Sequence, residues 1–123
     1  MRRIHHILSA AALFAVVASP VFAADCAQPG PAPVIPDGST ASVDQLKAAH
    51  QAVQSYVNTL QSVQDCNEAK IKMSPKGTKA DDLQKLRDAG NAAIDQAKAI
   101  SDAYSAQVKV FKARAPVPAA PPK

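Results

Sequence analysis

Few residues in this chain have types and spacings suited to chemistry. There are two cysteines, Cys26 and Cys66, and His50 is the one histidine beyond His6. The cysteines are not in the C-x-x-C spacing of a redox couple, and two thiols alone do not close a zinc site. A haem would need a C-x-x-C-H run or a second axial ligand. Met73 stands far from His50, so no His/Met pair is assembled. Glu68 is the only glutamate, and Asp81-Asp82 the only adjacent acidic pair. That pair is explained by the start of a helix, where carboxylates suit the dipole. The lone histidine has no obvious acidic neighbour, so no Ser/His/acid set can be argued, and no Gly-rich phosphate loop is present. The residues therefore predict no enzyme, no catalytic residue, no metal and no cofactor.

What the cysteines can do is pair. The chain opens MRRIHHILSAAALFAVVASPVFAADC, with Arg2 and Arg3 ahead of an apolar run, Ile7 to Ala18, too short to span a bilayer. Val21-Phe22-Ala23 supplies small residues at the −3 and −1 positions. This reads as a signal peptide over 1–23, cut after Ala23, with a retained anchor as the alternative. Asp25 stands where a lipoprotein signal wants a small residue. The expected location is periplasmic or secreted, with no stable membrane anchor after cleavage. In an oxidising compartment an intramolecular Cys26–Cys66 disulfide is the expected state; intermolecular pairing or free thiols are the alternatives.

Removing Arg2 and Arg3 takes the formal charge from +4 to +2. The remaining lysines are interspersed with aspartates, so no nucleic-acid footprint is present. With no tryptophan, and Tyr56, Tyr104 and Phe111 as the mature chain's aromatics, the core must be thin.

Two elements must position these residues. Ser42 and Gln45 form a capping-box signature. Leu46, Ala49, Val53, Tyr56, Leu60 and Val63 then recur at steps of three and four, which predicts a helix over about 43–70. Pro75 and Gly77 break it. A second helix, about 79–114, starts near Thr78 and Asp81 and carries Leu83, Leu86, Gly90, Ala93, Ala97, Ile100, Tyr104 and Phe111 on one stripe. The short connection predicts an antiparallel two-helix hairpin in an all-α chain. Pairing positions whose numbers sum to 146 matches stripe to stripe and sets Gly90 opposite Tyr56, where a glycine would leave room for the ring; otherwise Gly90 is neutral. The tail over 115–123, Pro- and Ala-rich, is expected to be disordered.

The segment over 24–41 holds DCAQPGPAPVIPDGST. Along a helix, Ser42 to Cys66 spans about 36 Å. From Ser42 back to Cys26 an extended proline-rich strand covers about 50 Å. The segment can therefore turn at Pro36-Asp37-Gly38 and run along helix 1, tied at Cys66. The small residues Ala48, Ala52, Ser55, Thr59 and Ser62 offer it a bed, or else form an ordinary polar face. Ile35 reaches at most about 31 Å from Cys26, which in the 146 register falls short of Phe111. Phe111 and Val108 then either pack on the N-terminal turn by another route or contact a protein partner or a second copy.

Cys26-Ala27 with Pro29, then Ile35-Pro36-Asp37-Gly38, the mid-chain Cys66 and the closing Val108 to Arg114 resemble a group of small exported proteins of Gram-negative bacteria. The resemblance implies location and a shared fold, and carries no activity or site residues. The function expected is a non-enzymatic structural or protein-interaction role in the cell envelope. The alternative is a small-ligand-binding helical module, with the ligand between the two helices or within a four-helix dimer.

Overall fold

A computed structural model describes residues 25–114 of the chain. The expected signal peptide over 1–23 and the Pro/Ala tail over 115–123 lie outside the described residues. Within them the chain is all-helical, with α1 at Val43–Met73, α2 at Ala80–Ala113 and no strand. Asp25 to Asp37 has neither helix nor strand, and a turn follows over 38–40.

Helix α1 begins as its capping box dictates. The Gln45 N–H donates to Ser42 Oγ at 3.1 Å, and the Ser42 N–H donates to Gln45 Oε1 at 2.8 Å. The helix runs past the expected end near Lys70 to Met73. Ile71, Lys72 and Met73 tolerate helix well. Ser74 stops it, because a residue before proline is pushed to extended backbone, here φ −63° and ψ 133°. Its hydroxyl donates to the Lys70 carbonyl at 2.7 Å. Gly77 turns the chain at φ 96°, a left-handed conformation that glycine adopts without strain. Thr78, near which the second helix is expected to start, does not cap α2. Its hydroxyl donates to the Pro75 carbonyl at 2.7 Å and closes the loop, leaving Lys79 as a cap without a side-chain bond.

The buried apolar residues of α1 are Leu46, Ala49, Val53, Leu60 and Val63, the stripe read from the periodicity. Leu60, 1% exposed, forms the centre with Val63 and Ala93, and Tyr56 and Ala97 pack against them. Contacts across the two helices pair Leu46 with Tyr104, Tyr56 with Gln96, Leu60 with Ala93 and Asn67 with Gly90. Those numbers sum to 150, 152, 153 and 157, not to 146. The difference is about one heptad, a slide of roughly 10 Å at 1.5 Å per residue. A stripe that repeats every seven residues matches itself again after a one-heptad slide, so periodicity alone does not choose between the two. Helix length does. With α1 carried to Met73 and α2 starting at Ala80, both ends at the loop lie level, and those two numbers also sum to 153.

Gly90 accordingly does not receive the Tyr56 ring. It faces Asn67, a buried polar residue at 4% exposure, whose amide donates to the Val63 carbonyl at 2.8 Å. A Cβ at position 90 would sit 3.8 Å from Asn67 Cβ and 3.9 Å from Gln64 Cγ, ordinary contact distances. Glycine in a helix interior costs about 0.5–1 kcal/mol against alanine. Gly90→Ala is therefore expected to stabilise the protein by about that amount, read as a raised midpoint in chemical denaturation. A lowered midpoint would show that the helices approach more closely there than this register allows.

Candidate functional site

Cys26 and Cys66 are disulfide-bonded, 40 residues apart in sequence with Cα atoms 5.7 Å apart. Cys26 is buried and Cys66 half-buried. The segment leaving Cys26 does not lie on the small-residue column of α1. Ala48, Ala52, Ser55, Thr59 and Ser62 are all exposed, and the hydroxyls of Thr59 and Ser62 donate to carbonyls of their own helix, Ser55 and Asn58. That column is an ordinary polar face. Asp25 to Pro29 instead sits where the two helices meet. Cys26, Gln28 and Pro29 line a cleft of about 380 Å³ whose floor is Leu60, Val63 and Ala93 and whose far wall is Ala89 and Ala92 of α2. Lys70 reaches Asp25 at 3.7 Å across the exposed rim, a contact of little energetic weight.

At the other end of the segment, Asp37 builds the turn. Its carboxylate accepts from the Ser39 N–H at 2.8 Å and the Ser39 hydroxyl at 2.7 Å. The backbone bond, and then the hydroxyl, hold its carboxyl below the ordinary aspartate value. Its carbonyl accepts from the Ala41 N–H at 2.8 Å. The turn is pressed onto the last turns of α2. The Gly38 N–H donates to Gln107 Oε1 at 2.8 Å, and a Cβ at Gly38 would collide with the Gln107 carbonyl oxygen. Only a residue without a side chain permits that approach.

The heptad slide brings this about. In the 146 register the end of α2 overshoots the start of α1. In the observed one it lies level with it, and the turn meets Gln107 and Phe111. Phe111 is half-buried, with the Arg114 guanidinium 4.1 Å from its ring centroid. The same Arg114 donates to the Ser39 carbonyl at 3.4 Å. Val108 is also half-buried. The backbone of Phe111 runs close to the turn, its N 3.0 Å from where a Cβ on Gly38 would lie. Gln107 and Arg114 carried no signal in the sequence, since their partners are about 70 residues away in the chain. Asn67 did carry one, because it continues the α1 stripe one step beyond Val63.

On the face opposite the segment, His50 stacks on Tyr104, centroids 5.5 Å apart at 28°. Both line an open depression of about 540 Å³ with Val57, Ser101 and Ser105. The Tyr104 hydroxyl donates to the Leu46 carbonyl at 3.1 Å. Among the described residues no cluster of three or more His, Cys, Asp or Glu side chains could hold a metal ion, and no helix is long and apolar enough to cross a membrane. No family model, no curated protein and no solved structure matches the chain.

The contact at Gly38 can be broken alone. Gly38→Ala forces a methyl into the Gln107 carbonyl, and overpacking of this kind costs about 1–3 kcal/mol. Chemical denaturation should show that loss with helical content retained by circular dichroism. Unchanged stability would mean that the turn does not rest on α2 in solution.

Proposed function

We propose that this chain is a non-enzymatic protein of the cell envelope with a structural or protein-binding role. In this reading it is exported by residues 1–23 and works as an antiparallel helical hairpin. Its proline-rich segment is the third element, strapped across the pair from Cys66 to the end of α2. The observation that carries the reading is the Cys26–Cys66 bond, formed by both cysteines of a chain whose first residues look like an export signal. Such bonds persist in oxidising compartments, and small domains use them where the core is thin. The likeness to small exported proteins of Gram-negative bacteria supports the same location.

The partner contact we assign to Val108 and Phe111, with a second copy of the chain as the other candidate there. They lie at the end of α2 where the turn, Arg114 and the half-buried apolar side chains meet. The ligand-binding alternative rests on the apolar cleft beside Cys26 and Pro29. Native mass spectrometry of protein purified from the periplasm separates the two, because a ligand module should carry a bound small molecule.

Crosslinking the mature protein in its native periplasm, followed by identification of what is attached, tests the main reading. We expect a defined envelope protein to be captured, and Val108→Ser to reduce its yield several-fold. Failure to capture anything, or equal capture by a folded Val108→Ser variant, contradicts the assignment.

A further inference from the structure

We infer that the outer ridge of the strap, Pro31 and Val34, is a docking surface for a partner protein whose aromatic-lined groove takes a polyproline II segment. The inference rests on the reading of the chain as a protein-binding one. It adds a surface separate from Val108 and Phe111, and names the chemistry of what binds there.

The span of the strap sets its conformation. Cys26 is bonded to Cys66, and Gly38 to Gln107. In the observed register Gln107 lies level with about Leu46. That is about 20 residues along α1 from Cys66, or about 30 Å at 1.5 Å per residue. The steps from Cys26 to Gly38 must each cover about 2.5 Å, close to the 3.1 Å of polyproline II and well beyond a helical rise. Prolines at 29, 31, 33 and 36 hold φ near the polyproline II value, and each pushes the residue before it to extended backbone.

Exposure follows the three residues per turn of that conformation. Cys26 and Gly38 are buried and Pro29 and Ile35 half-buried, at steps of three in which Ala32 alone is exposed. Gln28, Pro31, Val34 and Asp37, also at steps of three, are all exposed. Val34 is 89% exposed, the highest value for a large apolar side chain among the described residues.

The backbone is open as well. Among the described residues no hydrogen bond reaches the stretch from Ala27 to Pro36. Its prolines bring carbonyls but no N–H, so the ridge offers mainly acceptors beside apolar rings. The complement of such a ridge is a groove of Tyr and Trp. Their ring faces pack on proline and valine, and the Tyr O–H and Trp N–H donate to the free carbonyls. The two anchors hold the segment extended before a partner arrives, so binding does not have to order it.

A photoreactive benzoylphenylalanine in place of Ala32, in the full chain expressed in its native periplasm, tests this. The control carries the same group in place of Ile94, an exposed apolar position of α2. Position 32 should attach to one envelope protein at peptides that contain Tyr or Trp, and position 94 should not. Val34→Asp, which alters a side chain that packs on little, should cut that attachment about tenfold. Pro31→Gly should weaken it several-fold by loosening the strap. Attachment from position 32 no greater than from position 94, attachment at peptides without Tyr or Trp, or attachment indifferent to Val34→Asp overturns the inference. A silent ridge on a chain that is still captured through Val108 would overturn the ridge alone and leave the envelope reading standing.

Discussion

The constraint on which the rest of this structure depends is the closure of the loop between Cys26 and Cys66. A segment without helix or strand has no ladder of hydrogen bonds to hold it. Left free at one end, the residues from Asp25 to Thr40 would gain conformational entropy by leaving the helices. The disulfide removes most of that freedom from the unfolded chain as well. Closing a loop of 40 residues contributes about 4 kcal/mol in the chain-entropy model. The packed centre of Leu60, Val63 and Ala93 is small beside the two long helices it must hold, so a contribution of that size is a large share of the whole.

The two anchors of the strap are unlike each other and act together. Cys66 fixes one end by a covalent bond. At the other, Gly38 fixes it by backbone proximity, with its N–H on Gln107 and no side chain to intervene. Between them the strap spans the pair from the loop-proximal half to the end of α2. It also delivers Ser42 to the point where α1 must start, because Asp37 accepts from Ala41 immediately before the capping box. Strap, turn and helix start form one continuous local assembly. The helix register is part of it, since only when α2 ends level with the start of α1 can the turn meet Gln107 and Phe111.

Much of this was legible in the sequence. Both helices, the capping box at Ser42 and Gln45, the stripe from Leu46 to Val63 and the Cys26–Cys66 bond follow from residue type and spacing. The register did not follow, because a heptad stripe is degenerate under a slide of seven. The length of α1 beyond Lys70, which settles it, depends on a local contest between Ser74 and Pro75. The error propagated in a definite way. It set Gly90 against Tyr56 instead of Asn67, and it left Phe111 out of reach of the turn. The bed of the strap was misplaced for a different reason: a column of small residues on α1 looked like a packing surface, yet those residues are exposed and the Thr59 and Ser62 hydroxyls are satisfied within their own helix. The interaction at Gly38 had a turn signature, but no pattern in one sequence announces a partner as distant as Gln107.

The central claim is that the strap, through its disulfide, holds this thin two-helix unit together. Thermal unfolding of the chain from Ala24 onward with the disulfide intact and after full reduction, verified by mass, tests it most directly. Loss of about 4 kcal/mol in a domain of this size should lower the midpoint by roughly 15 °C or more. An unchanged midpoint after complete reduction would contradict the account, because the strap would then be an appendage of the helices and not part of what keeps them folded.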